Sequence, residues 1–137
     1  MVVVRRMLVG GALILAMPQV AFAAGPETPD CVKAETQGQM NECARLEWER
    51  MDAELNRVYQ ALLQKITDAE TKHLLEDAER SWLNYRDKAC KFETSGTEGG
   101  SIHPMVRGLC LTGKTQAHTK ELASQLNCAE GDLSCRH

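Results

Sequence analysis

The sequence is poor in the residues and patterns that build β-sheets. It contains two Trp, two Tyr and two Phe among 137 residues, and no useful length alternates between apolar and polar residues. It has no CxxC motif and no histidine pair at i, i+4 spacing, which are common arrangements of zinc ligands. It also has no low-complexity tract and no convincing internal repeat. These absences argue against a sheet-rich fold, a repeat array and a metal or other cofactor.

The longest apolar run, from Met7 to Met17, is too short to cross a bilayer. It follows Arg5 and Arg6 and precedes an A-x-A sequence that ends at Ala23. These are the three parts of a secretory signal peptide. We therefore predict cleavage near Ala23 and a periplasmic or secreted product. The first cysteine comes well after this site, so no lipid or other membrane anchor is expected once the signal is removed.

Removal of the predicted signal peptide, residues 1–23, leaves a single small domain over residues 24–137. The signal holds two of the 16 Lys and Arg and no acid, so 14 remain against 19 Asp and Glu, a net charge of −5. This acidity disfavours nucleic acid and anionic lipid as partners. It is compatible with a cationic protein partner, and equally with a charge that only keeps the protein soluble.

Two long segments repeat apolar residues every three or four positions, which indicates amphipathic helices. Thr36 and Gln39 form a capping-box pattern before the first, predicted over about 37–66. Thr67 and Glu70 do the same before the second, predicted over about 68–93. The residues of the two stripes are Met40, Ala44, Trp48, Met51, Leu55, Val58, Leu62 and Ile66, then Leu74, Leu75, Ala78, Trp82, Tyr85, Ala89 and Phe92. Because the connection is so short, the two helices should lie antiparallel.

A third and weaker helical pattern follows Pro104. Gly108 and Gly113 lower its helix propensity, or else permit a close approach to another helix. The predicted fold is all-α: a three-helix arrangement of an antiparallel hairpin plus a returning helix, stabilised by disulfides. Its core spans residues 31–126, and a cysteine-containing tail follows at 127–137. The four Trp and Tyr residues should lie in the core, and the polar residues Asn41, Asp52, Asn56, Arg86 and Asp87 should mainly serve the fold.

Six cysteines in a small exported chain predict a disulfide framework rather than free thiols or zinc ligands. They are Cys31, Cys43, Cys90, Cys110, Cys128 and Cys135. The first four should meet at one end of the bundle, where three pairings are open. We favour Cys31 with Cys90 and Cys43 with Cys110, and Cys43 with Cys90 is the main competitor. Cys128 and Cys135 should pair with each other.

Short sequence fragments, in order and spacing, resemble the LprI-like family of lysozyme inhibitors over about residues 31–122. They are Cys31, Thr36-Gln37, Met40-Asn41, Cys43, Asp52, Leu55-Asn56, Tyr59, Trp82, Tyr85-Arg86-Asp87, Cys90, Gly99-Gly100-Ser101, Cys110, Thr115 and Glu121-Leu122. The resemblance implies an exported helical domain that binds a protein and inhibits a lysozyme. The chain departs from the family pattern at His118, where an arginine is usual, and in its lack of a lipid anchor.

The glycine-rich stretch from Gly96 to His103 is the candidate inhibitory element, because a blocker needs a protrusion that enters the hydrolase cleft. Ser101, His103 and Arg107 are the candidate partner-binding residues there, and Arg86 and Asp87 are further candidates. Three alternatives stay open. The stretch could be a mobile linker, and the protein could be an envelope interaction module without inhibitory activity. An enzyme is the third, but no nucleophile-elbow sequence accompanies Ser101, so no catalytic residue is predicted.

Overall fold

The computed structural model describes residues 30–129, 131–132 and 135, and over them the fold is all-helical, as predicted. The predicted signal peptide at residues 1–23 lies outside the described residues. The elements in chain order are a 3₁₀ turn at Cys31–Lys33, α1 at Gln37–Lys65, α2 at Ala69–Glu93, a second 3₁₀ turn at Ser95–Thr97 and α3 at His103–Leu126. No helix in these ranges is long and apolar enough to cross a membrane.

α1 and α2 each begin at a residue whose side chain caps the helix, and one of the two predicted caps is wrong. The Thr36 hydroxyl accepts a hydrogen bond from the Gln39 amide, and the Gln39 side-chain oxygen accepts one from the Thr36 amide, which confirms the first capping box. The second helix starts one residue later than the capping box predicts. The Asp68 carboxylate, not Thr67, caps α2 by accepting from the Thr71 amide at 2.7 Å. A carboxylate at this position also complements the positive end of the helix dipole.

α1 and α3 run parallel and pack against each other most closely, and α2 runs antiparallel to both. The Asn41 side chain donates to the Ser101 carbonyl near the start of both helices, and Lys65 donates to the Leu126 carbonyl near their ends. Gly108 allows this contact. A Cβ built on it would lie 3.1 Å from the Ala44 carbonyl oxygen. The close-approach interpretation of Gly108 is therefore confirmed.

The hydrophobic core lies in the half of the bundle that contains the α1–α2 turn. Its fully packed members are Leu55, Val58, Leu62, Ile66 and Leu122. Tyr59 and Trp82 pack against this cluster, as predicted. Towards the other end, Ala44, Met51 and Leu111 are also buried, but the inward-facing positions of α2 become polar, so disulfides and ion pairs add to the apolar packing there.

The predicted core face of α2 is partly wrong. Tyr85 and Phe92 are 59% and 80% exposed, whereas Glu79, Arg86 and Cys90 are buried. The helix is therefore rotated so that a stripe containing two charged residues faces the bundle. Burial of a charge is costly unless it is paired, and both of these residues have charged partners on other helices. Those partners allow the charged stripe to face inward.

The disulfides join Cys31 to Cys43, Cys90 to Cys110, and Cys128 to Cys135, so no described cysteine is free. The favoured pairing of the first four is wrong, although they do lie at one end, here called the disulfide pole. Cys90 is fully buried between α2 and α3, where Cys110 meets it. The turn that carries Cys31 remains exposed and folds back onto α1 itself. The predicted pairing of Cys128 with Cys135 is confirmed.

Candidate protein-binding site

The connection between α2 and α3, residues 94–102 and here called the pole loop, is held by a network of hydrogen bonds. The Thr94 hydroxyl donates to the Cys90 carbonyl at 2.7 Å, and the Thr97 hydroxyl donates to the Thr94 carbonyl at 2.8 Å. Gly99 adopts a φ of 81°, which suits glycine, and so allows the chain to turn towards α3. The Cys90–Cys110 disulfide closes the loop at its base. These contacts hold the pole loop at several points and favour an ordered loop over the mobile linker considered above.

The two candidate residues at the end of this loop differ in their environment. Ser101 is exposed, and its carbonyl accepts the hydrogen bond from Asn41 of α1. The ring of His103 lies with Nδ1 2.9 Å from the Thr97 hydroxyl oxygen. Since that hydroxyl already donates to a carbonyl, Nδ1 carries the proton and donates, which leaves Nε2 as an acceptor in the neutral ring. The ring is therefore fixed in orientation at the edge of the loop.

Arg107 differs from the other arginines that the structure describes, because it has no carboxylate partner. Each of the others forms an ion pair with Asp or Glu: Arg45, Arg50, Arg57, Arg80 and Arg86. Arg107 is half-buried in the first turns of α3 and lines a cleft of about 380 Å³ between α1 and α3, together with Asn41 and Trp48. Its charge is available to an external acidic group.

Arg86, the second type of candidate, lies inside the protein. Its side chain is 6% exposed, and it donates to Asp52 of α1 at 2.7 Å and to Asp87 at 3.0 Å. Its guanidinium also lies over the rings of Trp48 and Trp82, at 5.8 and 5.4 Å from their centroids. An arginine held in this way joins α1 to α2. Asp87 is half-exposed, and in this structure it orients Arg86.

A partly buried histidine joins α2 to α3 beside Arg86. His118 stacks on Trp82 with ring centroids 4.0 Å apart, and its Nε2 lies 2.7 Å from the carboxylate of Glu79. Its Nδ1 lies 3.2 Å from Glu121. Burial lowers the pKa of His118, but the hydrogen bonds to Glu79 and Glu121 outweigh it, so the pKa is above its ordinary value. We call the set Asp52, Glu79, Arg86, Asp87 and His118 the buried charge cluster.

The structure therefore separates the predicted site residues into two groups. Ser101, His103 and Arg107 lie at the surface of the disulfide pole, where a partner can reach them. Arg86 belongs to the buried charge cluster, with Asp87 at its half-exposed edge. The contact between Glu79 and His118 could not be predicted from the sequence, because the two residues are distant in the chain and no local motif includes both.

The described residues offer no convincing metal site. The potential ligands that lie closest together are Cys128, Asp132 and Cys135, with donor atoms within 4.8 Å of one another. The two sulfurs are bonded to each other, and a disulfide lacks the thiolate that metal binding uses.

Comparison with known proteins adds a family assignment to this geometry. A family model described as lysozyme inhibitor LprI matches residues 30–122, which include both pole disulfides, the pole loop and the buried charge cluster. An uncharacterized protein of Rhizobium meliloti (strain 1021) is 34% identical over 131 residues, covering 87% of this chain and 94% of that protein. No solved structure matches the chain.

Proposed function

This chain belongs to the LprI lysozyme inhibitor family, and from that premise we propose that it inhibits a lysozyme-type glycan hydrolase outside the cytoplasm. The inhibitory element is the pole loop with the first turns of α3, which covers the active-site cleft of the target. The observation that supports this most is the way the loop is held, since a disulfide closes it and side-chain hydrogen bonds tie it to neighbouring carbonyls.

Rigidity favours inhibition because a flexible loop would lose conformational freedom on binding. Ordering one residue of backbone costs roughly 1–2 kcal/mol. In the pole loop much of this cost is met when the protein folds, so the contact energy is available for affinity. The disulfides that provide this rigidity form in oxidising compartments, which supports a location outside the cytoplasm.

The side chains at the loop suit the chemistry of such a cleft. Glycoside hydrolases cleave their substrates with a pair of carboxyl groups. Arg107 is the described arginine without an internal ion pair and can face one of these carboxylates. The Ser101 hydroxyl is exposed and can donate to the other, and His103 offers a fixed ring beside it. A charge-assisted contact of this type is short and strong when it is desolvated.

The same geometry gives no support for catalysis by this chain. Among the described residues, the Ser101 hydroxyl has no hydrogen bond to the His103 ring, whose Nδ1 instead pairs with Thr97. A serine nucleophile requires a base within hydrogen-bond reach and a third group that orients the base. We therefore propose a binding protein whose effect on glycan cleavage arises from obstruction of another enzyme.

The test is a titration of the oxidised protein, purified from the periplasm of an expression host, against chicken-type and goose-type lysozymes and a bacterial lytic enzyme. Glycan cleavage is followed by the clearing of a cell-wall suspension. We expect stoichiometric inhibition of at least one enzyme, and we expect Arg107→Ala to weaken that inhibition by about tenfold or more.

Arg80→Ala is the matched control. Arg80 lies on α2, far from the pole loop, and its side chain is 76% exposed. The variant should inhibit like the wild type. Binding to a hydrolase without any loss of cleavage would contradict inhibition and favour a non-inhibitory envelope module. No binding to any of the three enzyme classes would contradict the proposal as a whole.

A further inference from the structure

One face of α3 points away from the rest of the bundle and is apolar. Its residues follow one another at spacings of four, three, four and four, which places them on one side of a helix. They are Ile102, Val106, Leu109, Gly113 and Ala117, here called the outer face of α3. Ile102 and Leu109 are 41% and 56% exposed. Large aliphatic side chains in such a row expose apolar surface that no described part of the chain covers.

The two glycines of α3 show that this face is different from the packed one. Gly108 faces α1, and a Cβ there would press on the Ala44 backbone. A Cβ on Gly113 would meet nothing within 4 Å. Glycine in a helix interior is less favourable than alanine by about 1 kcal/mol, and no internal contact accounts for it at this position. A glycine without a side chain at the surface lets another molecule approach the helix backbone closely.

We infer that the outer face of α3 is the apolar part of the surface that binds the target hydrolase, against one wall of its acid-lined cleft. This inference rests on the proposed function and specifies where its binding surface continues beyond the pole loop. Ile102 belongs to both the loop and the outer face, so the two surfaces are continuous. Together they form a convex ridge, and a substrate cleft is the concave shape that such a ridge fits.

The charge of this part of the chain also favours the cleft of the hydrolase as the partner of the outer face. The segment 99–120 contains no Asp or Glu, although the whole chain has an excess of acids. Of its cations, Lys114 is paired with Glu93 of α2 at 2.9 Å, whereas Arg107 and Lys120 form no ion pair with a described carboxylate. Lys120 extends the outer face itself by one more helical step. These two unpaired cations beside the apolar ridge complement a cleft that carries carboxylates. A second copy of this chain would present another convex ridge with the same charge, so it is a poorer partner.

The experiment compares two leucines of similar exposure in the inhibition assay. Leu109→Gln changes the outer face, and Leu74→Gln changes a residue of α2 that is 65% exposed at the opposite end of the bundle. Both are exposed helical positions, so both variants should keep the thermal stability of the wild type. We expect Leu109→Gln to weaken inhibition of the responsive lysozyme by about tenfold, and Leu74→Gln to leave it unchanged.

Gly113→Gln provides a second measurement that a folding defect cannot mimic. It places a good helix-forming residue in open space, so its melting temperature should equal or exceed that of the wild type, while its inhibition falls. If the wild type inhibits and both outer-face variants inhibit equally well, the inference is wrong and the proposed function stands. If the wild type inhibits nothing, the proposed function itself fails. A dimer in sedimentation velocity that Leu109→Gln dissociates would assign the face to a second copy and overturn the inference.

Discussion

The pair of His118 and Glu79 allows the sharpest test of how the bundle is held together. Their side chains are 13% and 10% exposed, and Nε2 lies 2.7 Å from the carboxylate. His118→Gln keeps a polar side chain of similar reach but removes the positive charge, so the Glu79 carboxylate is left without its counter-charge between α2 and α3. We expect a clear loss of stability at pH 6, where the wild-type imidazole is protonated.

The magnitude follows from the burial of the remaining carboxylate. Leaving one partner of a fully buried ion pair uncompensated costs about 3–5 kcal/mol. Glu79 retains slight access to solvent, which limits the loss. The stacked ring on Trp82 adds about 0.5–1.5 kcal/mol. We therefore expect the free energy of unfolding to fall by about 2–3 kcal/mol in urea titrations with the disulfides intact.

The pH dependence has a definite sign. The pKa of His118 is raised above 6.5 in the folded state, so the folded protein holds this proton more tightly than the unfolded chain. The stabilisation is fully present below about pH 6.5 and is lost as the pH rises through the raised pKa. The difference between wild type and His118→Gln should therefore shrink between pH 6 and pH 9. A double variant with Glu79→Gln should be less destabilised than the two single variants added together.

Two outcomes would refute this reasoning. One is a difference in unfolding free energy between wild type and His118→Gln that is the same at pH 6 and pH 9. The other is strict additivity of the His118→Gln and Glu79→Gln effects, because additivity means that the two side chains do not interact.

Two further predictions concern the packing of α3 and the pole loop. Gly108→Ala should lower the free energy of unfolding by about 1–3 kcal/mol, because the added methyl group presses on α1; thermal melting measures this, and an unchanged or higher melting temperature would contradict the close packing. Replacing Cys90 and Cys110 with Ala should remove about 3 kcal/mol and speed amide hydrogen exchange across the pole loop. Replacing Cys31 and Cys43 should leave exchange in that loop slow, and equal acceleration in both variants would show that the Cys90–Cys110 disulfide does not fix it.

The sequence predicts the helices well because their signals are local. Apolar spacing and the Thr36 capping box place α1 to within a residue at each end. The rotation of α2 about its own axis could not be predicted, because it depends on which oppositely charged residues of α1 and α3 lie opposite the charged residues of α2. From the sequence alone, Arg86 and Glu79 are expected at the surface, because their partners Asp52 and His118 are distant in the chain. The apolar pattern therefore places Tyr85 and Phe92 in the core instead.

The candidate site shows the same limit. The sequence identifies the glycine-rich stretch and its polar residues Ser101, His103 and Arg107. It does not show how the stretch is held, because the contacts that hold it involve Asn41 of α1 and a disulfide whose pairing the sequence leaves open. Four cysteines at one end of a bundle satisfy three pairings equally well by position. The choice depends on Cys90 being enclosed between α2 and α3, which only the packed structure shows.

The bond between Cys90 and Cys110 has one more consequence, which concerns cleavage of the chain by a protease. It encloses the whole span from Lys91 to Leu109, including the exposed Lys91 and the half-buried Arg107, both residues after which trypsin-like enzymes cut. A single nick anywhere in that span leaves the two fragments covalently tied, with α2 and α3 still paired along their lengths. The molecule can therefore be cut within this span and remain in one piece.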